Sequence, residues 1–278
     1  LDRAMQALHL LALEPVSECT SDPNSYGFRR GRSTHDARSQ LFVSLSHRAS
    51  AQWVLDADIT GFFDNINHEW LLANVHMNKR VLQQWLKAGV IDRRQLHRTE
   101  MGTPQGGIIS PTLANITLNG LERGLKQFLK KELGSKGAAQ AKVNLIRYAD
   151  DFVVTGDSKE LLVTVVQPWI ASFLRERGLQ FSEEKTKVVH IDEGFDVLGW
   201  HFRKYKGKML IKPSKKNVKA FYAKVRDVID SSLSVPTALL IGKLNPVLRG
   251  WAEYHKGVVA KAAFSRVGRQ IYWRLMRW

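Results

Sequence analysis

Residues 143–156 read V-N-L-I-R-Y-A-D-D-F-V-V-T-G, and no other stretch of the chain predicts the fold so directly. Two apolar runs, residues 145–148 and 152–155, are rich in the aliphatic and aromatic residues that favour strands. They flank a short break that contains Asp150 and Asp151. The stretch therefore predicts a β-hairpin with two acidic residues at its tip.

Two neighbouring carboxylates at a tight turn indicate a bound cation, because their mutual repulsion costs stability that a cation would offset. Mg²⁺ takes oxygen ligands and is usually held by one or two carboxylates, with water and substrate phosphates in its other positions. Taken alone, however, Asp150 and Asp151 are more typical of a solvated acidic turn, since Asp is common in turns. The metal site is a hypothesis that the rest of the chain has to support.

The composition is that of an ordinary globular protein of one or two domains, with 278 residues, 44% of them hydrophobic and 24% charged. The single cysteine, Cys19, excludes an internal disulfide and a cysteine-based zinc site. No apolar run approaches the ~18 residues of a membrane span, so we expect a soluble protein with no membrane partner. The chain opens on Leu1 rather than Met, as expected of a fragment or a processed piece.

The positive charge is concentrated at the C-terminal end. The formal net charge is +16, and residues 203–278 hold 18 lysines and arginines against three acids. A basic module beside a nearly neutral one is typical of nucleic-acid binding, because neutralising phosphates releases counterions. A basic face kept for solubility and an anionic membrane surface are the alternatives. Aromatic residues interleaved with the lysines and arginines favour nucleic acid, since some of the aromatic rings could stack on nucleobases.

A third acidic position follows another predicted strand. In residues 52–59 one face of the strand holds Asp56 and Asp58, and the other holds Trp53, Leu55, Ala57 and Ile59. Because Asp58 ends the strand, it would join Asp150 and Asp151 if strand and hairpin were neighbours in one sheet. We therefore expect a cluster of three carboxylates.

Two loops have compositions that suit an anion or a base pair. Residues 24–37 combine two glycines with three arginines, which allows close backbone approach to a phosphate, and Ser33 or Thr34 can cap the helix behind them. Residues 102–111 are dense in glycine and proline, so they exclude regular structure and let a loop backbone pack tightly against a ligand. Either loop alone is weak support for a binding site.

Periodicity predicts the remaining elements. In chain order they are a helix over residues 1–13 stopped by Pro15, a helix over 80–96, a helix from 112 through 125, an exposed tip at 134–141, a helix over 161–177, and a hairpin-like pair formed by 195–202 and 208–211. From about residue 215 we expect three basic amphipathic helices, the second interrupted near Pro246. These helices predict a separate small domain.

The order of these motifs resembles the reverse transcriptases encoded by group II introns, which carry a maturase domain behind the polymerase. The matching blocks are N-S-Y-G-F-R-R-G-R-S-T-H-D-A, D-A-D-I-T-G-F-F-D-N-I-N-H, G-T-P-Q-G-G-I-I-S-P-T-L-A-N-I, Y-A-D-D, G-L-Q-F-S-E-E-K-T-K and G-F-D-V-L-G-W, followed by L-R-G-W-A-E-Y-H in the maturase region. The resemblance implies an α+β right-hand fold. Its expected parts are partial fingers (residues 1–48), a palm with an antiparallel sheet and helices (49–202), and the end of the primer grip with a basic, all-α thumb or maturase domain (203–278).

The resemblance also implies the chemistry of the site: nucleotide addition to a DNA primer on an RNA template. Asp58, Asp150 and Asp151, with the backbone carbonyl of Ile59, would hold two Mg²⁺ ions, or Mn²⁺ in their place. Lys185 matches a lysine that could protonate pyrophosphate. The expected contacts to the incoming deoxynucleoside triphosphate are Phe63, Pro104, Gln105 and Gly106, with Phe63 beneath the sugar, where it would exclude a 2′-hydroxyl.

Nucleic-acid contacts follow from the same resemblance. The expected template and structured-RNA contacts are Arg29, Arg30, Arg32, Lys215, Lys216, Lys219 and Arg249. The expected primer grip is formed by Leu198, Gly199 and Trp200. A bacterial cytoplasm is the expected location, with an organelle as the alternative.

Two other functions stay open at this stage. Relatives carry fingers segments ahead of the first block, whose lysines and arginines help to bind the triphosphate, and this chain begins after them. A truncated, polymerase-inactive copy that binds RNA is therefore one alternative. Another prokaryotic reverse transcriptase lineage, such as a retron or CRISPR-associated enzyme, is a second, which the maturase-like C-terminus disfavours.

Overall fold

The computed structural model describes residues 2–92, 95–97, 99–103 and 106–278. The chain divides into two compact units, Leu1–His190 and Ile191–Trp278, each with its own buried cluster of apolar side chains. This division follows packing alone. The functional boundaries after residues 48 and 202 remain predictions.

The first unit contains both strands and helices. Its strands are β1 (Trp53–Ala57), β2 (Val90–Asp92), β3 (Gln95–His97), β4 (Leu145–Tyr148), β5 (Asp151–Gly156) and β6 (Lys187–His190). Its helices are α1 (Asp2–Thr20), α2 (Thr34–Ser46), α3 (Phe62–Asn65), α4 (His68–Asn74), α5 (Lys79–Leu86), α6 (Ser110–Leu118), α7 (Leu121–Gln140), α8 (Lys159–Leu161) and α9 (Gln167–Arg175), with the π-helical segment Leu162–Val166 between the last two. The unit is thus α+β, as expected.

A four-stranded antiparallel sheet with the order β4-β5-β1-β6 organises this unit. Strands β4 and β5 form the predicted hairpin, in which Tyr148 pairs with Asp151 and leaves a two-residue turn of Ala149 and Asp150. Ala149 has a φ of 56°, a conformation that a residue with a Cβ adopts only at a cost. The predicted hairpin with acids at its tip is confirmed.

The sheet is held in place by one apolar cluster that it shares with the helices. Leu55, Phe152 and Val154 from the sheet and Leu113 and Ile170 from the helices are each at most 2% exposed. Burying a side chain of this size stabilises the fold by about 1.5–3 kcal/mol. The cluster therefore fixes β1 and the hairpin relative to each other.

Three helix predictions for this unit are wrong. The predicted helix from 112 through 125 is divided at Asn119 and Gly120 into α6 and α7, and Gly120 has a φ of 88°. Helix α1 continues through Pro15 to Thr20, because burial of Leu13 and Ser17 on either side offsets the hydrogen bond that proline removes. Residues 80–96 do not form one helix: α5 ends at Leu86, and Gly89, with a φ of 78°, turns the chain into the short β2–β3 hairpin.

Residues 134–140 are mostly exposed, as predicted, but they are helical. They extend α7, with a kink at Gly134 where φ is 69°. At the start of α2, by contrast, the predicted cap is confirmed. The Ser33 side chain accepts a hydrogen bond from the Asp36 N–H, and the Asp36 carboxylate accepts one from the Ser33 N–H.

The second unit begins with a three-stranded antiparallel sheet and ends with three helices. The strands are β7 (Phe195–Val197), β8 (Trp200–Tyr205) and β9 (Lys208–Pro213), and the helices are α10 (Lys215–Asp230), α11 (Thr237–His255) and α12 (Lys261–Leu275). The predicted strand over residues 195–202 is wrong, because a turn at Leu198 and Gly199 divides it into β7 and β8.

The three helices of the second unit share a core of their own. Phe221, Val225, Leu240, Val267 and Ile271 are buried in it. The three predicted helices are confirmed, but α11 runs through Pro246 without interruption. No helix in the described part of the chain is long and apolar enough to cross a membrane.

Candidate active site

The sheet register brings the three predicted acids to one edge. In the β1–β5 pair, Ala57 lies opposite Phe152. Asp58 follows Ala57 and Asp151 precedes Phe152, so continuing this register places Asp58 opposite Asp151. Asp150 is the second residue of the adjoining turn. The expected cluster of three carboxylates therefore follows from strand pairing alone.

The electrostatics show that these carboxylates share a confined space. Burial raises the pKa of Asp151 to about 6, and the negative charges of Asp150 and Asp58 and a hydrogen bond with Asp58 add to the rise. Burial also raises the pKa of Asp150, with repulsion from Asp58 in the same direction. A bound cation would relieve this repulsion, because it favours the charged form of each acid.

Lys185 already supplies one positive charge. Its Nζ donates a hydrogen bond of 2.7 Å to Oδ2 of Asp58, and this contact raises the pKa of the ammonium group. The Lys185 side chain is 69% exposed and that of Asp58 only 18%. Lys185 is therefore the mobile partner of the pair, able to turn towards a substrate.

Residues 180–186 are aligned with Asp58 by backbone pairing. The Thr60 N–H donates to Gln180 O at 3.1 Å, and the Ser182 N–H donates to Asp58 O at 2.8 Å. These two bonds form the antiparallel bridge between Ile59 and Phe181 without using the Ile59 carbonyl. The geometry leaves that carbonyl free of the bridge, and its role as a metal ligand stays a prediction.

The donor set fits a hard divalent cation, since it consists of carboxylate oxygens. Among the residues that the structure describes, no group of three or more His, Cys, Asp or Glu side chains is arranged to ligate a metal as it stands. Oδ2 of Asp58 accepts the hydrogen bond from Lys185. An ion ligated by this oxygen would take the place of the ammonium group there.

Arg147 is a site residue that the sequence analysis missed. It is 1% exposed, and its Nη1 donates to Ala149 O at 3.0 Å and to Asn115 Oδ1 at 3.2 Å. Burial lowers its pKa to about 10, so the buried group is still a cation at neutral pH. The signal in the sequence was a charged residue inside the apolar run of β4.

Asn115 connects this arginine to the glycine-containing loop. Its Nδ2 donates to Gly27 O at 2.8 Å. The loop itself pairs with β4, because the Tyr26 N–H donates to Arg147 O and the Arg147 N–H donates to Asn24 O, both at 2.9 Å. Blocks that are far apart in the sequence thus meet behind the Ala149–Asp150 turn.

Gly27 lies directly against that turn. A Cβ at Gly27 would be 2.3 Å from the backbone nitrogen of Ala149, closer than any real contact. The glycine is required for this close approach rather than for a special φ. The loop and the turn therefore form a single packed unit.

Phe63 lies in α3, immediately after Phe62, which is only 3% exposed. The Phe63 ring is half-buried and meets the exposed ring of Phe28 edge-on, with centroids 6.1 Å apart. Gly106 is exposed, and its carbonyl accepts from Arg3 Nη2 at 3.3 Å. Pro104 and Gln105 lie outside the described residues, so their predicted nucleotide contacts remain predictions, as do those of Phe63 and Gly106.

The three loop arginines differ in the exposure of their side chains to solvent. Arg29 is the exception to the predicted template contacts: its side chain is 5% exposed, forms an ion pair with Glu18 and donates to two backbone carbonyls, which gives it an internal role. Arg30 is 77% exposed and paired with Glu14. Arg32 is 32% exposed and donates to Pro23 O. Arg30 and Arg32 remain the candidates for template binding.

The predicted RNA contacts of the second unit are exposed as expected. Lys215, Lys216 and Lys219 lie in the first turns of α10, and Arg249 lies on α11. The primer-grip prediction needs a correction at Trp200, which is 0% exposed and therefore cannot itself touch a primer. Leu198 and Gly199, in the turn before it, are partly exposed.

Comparison with known proteins agrees with this geometry. A family model described as reverse transcriptase (RNA-dependent DNA polymerase) matches residues 1–202, and the group II intron maturase-specific domain matches residues 218–278. Protein YkfC of Escherichia coli (strain K12) is 31% identical over 231 residues, which cover 71% of this chain and 60% of YkfC. The group II intron-encoded protein LtrA of Lactococcus lactis subsp. cremoris is 27% identical over 259 residues, covering 73% of this chain and 43% of LtrA.

The fold is shared with a solved polymerase structure. The apo telomerase from Candida tropicalis superposes with a TM-score of 0.55 at 13% sequence identity, over 98% of this chain and 51% of the telomerase chain. The chain thus spans only about half of the longer proteins that it matches. It belongs to the reverse transcriptase family, in the group II intron branch that joins a polymerase domain to a maturase-specific domain.

Proposed function

We propose that this chain catalyses RNA-directed DNA synthesis, adding deoxynucleotides to the 3′-hydroxyl of a DNA primer paired with an RNA template. The observation that carries the proposal is the convergence of Asp58, Asp150 and Asp151 at one sheet edge, where burial and the neighbouring negative charges raise the pKa of Asp150 and of Asp151. The same chain would bind structured intron RNA and assist its splicing. We expect it to act in a bacterial cytoplasm, with an organelle as the alternative.

Reverse transcriptases are in general dependent on divalent metals. The three acids would hold two Mg²⁺ ions, or Mn²⁺ in their place, with the Ile59 carbonyl as a further ligand. Ions held by these carboxylates would supply Lewis-acid chemistry, which would lower the pKa of the primer hydroxyl and spread the negative charge of the triphosphate during in-line displacement. The clustered carboxylates support this assignment because they are otherwise a cost to the fold.

The chain's own side chains account for the other parts of the reaction. Lys185 carries a proton at an exposed ammonium group beside the acids, so it is suited to protonate the pyrophosphate leaving group. Arg147 and Asn115 hold the turn that carries Asp150. Phe63, at the edge of α3, would lie beneath the nucleotide sugar and select against a 2′-hydroxyl.

The basic surface supports RNA as the partner. Lys215, Lys216 and Lys219 are exposed at the start of α10, which gives phosphate oxygens three cations on one helix end. Arg30 adds an exposed guanidinium in the first unit. A salt-sensitive affinity for RNA is the expected signature of these contacts.

Primer extension tests the proposal. The purified chain is incubated with an RNA template, a labelled DNA primer, deoxynucleotides and Mg²⁺, next to an Asp150→Ala, Asp151→Ala variant. Asp157→Asn is the matched control, because Asp157 follows the same hairpin but pairs with Lys142 away from the cluster. Extension that is retained in the control and lost in the double variant supports the polymerase. Absent extension together with tight, salt-sensitive RNA binding would show a binding module that carries an inactive site.

A further inference from the structure

The turn between β7 and β8 is strained. It has two residues, Leu198 and Gly199, since Val197 pairs directly with Trp200. Leu198 has a φ of 50° and Gly199 a φ of 81°. Glycine adopts such angles readily, but leucine does so only where its surroundings impose them. Contacts from elsewhere in the second unit must therefore hold Leu198.

Both carbonyls of this turn accept hydrogen bonds from the helical part of the unit. The Tyr254 hydroxyl donates to Leu198 O at 2.7 Å. The Ser214 N–H, at the start of α10, donates to Gly199 O at 3.0 Å. The turn is thus held at two consecutive peptide groups, which fixes the direction in which its backbone and the Leu198 side chain face.

Tyr254 belongs to a row of three side chains on one face of α11. Trp251, Tyr254 and His255 are spaced i, i+3, i+4, which places them on the same side of the helix. The Tyr254 ring stacks on Trp200 with centroids 4.3 Å apart and planes 5° apart. His255 is 0% exposed. These residues face the interior of the unit, whereas Arg249 of the same motif is exposed.

The other two residues of the row act through Asn217. Trp251 Nε1 donates to Asn217 Oδ1 at 2.8 Å, and His255 Nε2 lies 3.0 Å from the same oxygen. This orients the Asn217 amide so that Nδ2 lies against Gly199, where an added Cβ would approach it to 2.8 Å. The row, together with Asn217, therefore packs against the buried side of the turn.

We propose that Tyr254 is a positioning residue that clamps the Leu198–Gly199 turn in its strained shape for contact with the primer strand, with Trp251 and His255 supporting the clamp through Asn217. The maturase-region motif L-R-G-W-A-E-Y-H thus has an inward face that serves primer binding, while Arg249 on its outer face is left for RNA. The proposal rests on the polymerase function proposed above. It assigns Tyr254 no contact with the substrate.

Tyr254→Phe tests the clamp, because it removes the hydroxyl and keeps the ring stacked on Trp200. We expect KM for the primer–template to rise about 3–10-fold with kcat changed less than twofold, since weakened alignment of a bound strand acts on binding. Tyr272→Phe is the matched control, since Tyr272 is 56% exposed on α12.

Amide hydrogen exchange separates this proposal from the polymerase proposal. In Tyr254→Phe, faster exchange in the peptide covering residues 195–202 with unchanged exchange in α11 supports the clamp. If the wild type extends no primer, the polymerase proposal fails, and the exchange result alone decides on the clamp. Unchanged exchange in that peptide, or a lowered thermal midpoint with an unchanged KM, would overturn it.

Discussion

Asp151→Asn should make the metal-free protein more stable while abolishing its activity. The Asp151 carboxylate has its pKa raised from 3.8 to about 6 by burial and by the charges of Asp150 and Asp58. The folded state therefore binds this proton more tightly than the unfolded state, and the free energy of unfolding falls as the pH rises through the interval from about 4 to 6. Asparagine carries no charge and escapes this penalty.

The size of the effect follows from the shift. About two pKa units correspond to roughly 3 kcal/mol, and solvent screening at this partly exposed carboxylate reduces the expected gain to about 1–2 kcal/mol at pH 8. At pH 5 the folded-state carboxyl is mostly protonated but the unfolded one is not, so the gain should be about half as large. Removing the charge near Asp58 and Asp150 acts in the same direction.

Urea unfolding at pH 5 and pH 8 in the presence of a chelator measures this gain. Asp227→Asn is the control, because Asp227 is an exposed residue of α10 and its replacement should change the free energy of unfolding by less than about 0.5 kcal/mol. Excess Mg²⁺ should shrink or reverse the stability advantage of Asp151→Asn, since only the wild type keeps the Asp151 carboxylate to bind the ion. Destabilisation at pH 8 without metal, or a gain that does not depend on pH, would refute the reasoning.

Three further predictions address the loop, the sugar contact and the basic helix. Gly27→Ala should lower kcat by ~10²-fold, because its Cβ would displace the Ala149–Asp150 turn by a large fraction of an ångström. The control is Gly242→Ala, in open space on α11, whose free energy of unfolding in urea should rise by about 0.5–1 kcal/mol. Equal kcat values for Gly27→Ala and the wild type would contradict the close contact. Phe63→Val should raise ribonucleotide incorporation relative to deoxynucleotides in single-nucleotide extension, and unchanged discrimination would remove Phe63 from the sugar contact. In RNA filter binding, Lys216→Ala with Lys219→Ala should reduce the slope of log affinity against log salt by ~0.7–0.9 for each lost phosphate contact. An unchanged slope would exclude phosphate contacts by both lysines.

The features that could be predicted from the sequence were those with local signals. The hairpin of residues 145–156 is encoded by two apolar runs around a break, and the strand ending at Asp58 by its alternation. Their adjacency in one sheet required the family resemblance, because strand order is not written in either segment. The structure then confirmed the meeting of the acids through the β1–β5 register.

Long-range partners explain what could not be predicted. Arg147 stands out in its segment as a charge inside an apolar run, but only the fold shows that Asn115 and the carbonyl of Ala149 accept its hydrogen bonds. Arg29 and Trp200 were assigned to nucleic-acid contacts by motif position, but Glu18 and Tyr254 hold them inside. Burial of a side chain depends on residues that are distant in sequence, so local composition does not reveal it.

The hydrogen bonds behind the Ala149–Asp150 turn also affect how the protein folds. Gly27 and Asn115 are 88 positions apart, and Asn115 and Arg147 are 32 apart. Closing loops of this length costs entropy before the contacts return any energy, so the turn reaches its final shape only after three separate segments have met. We expect the Ala149–Asp150 turn to take its final shape late in folding, so the position of Asp150 depends on all three segments.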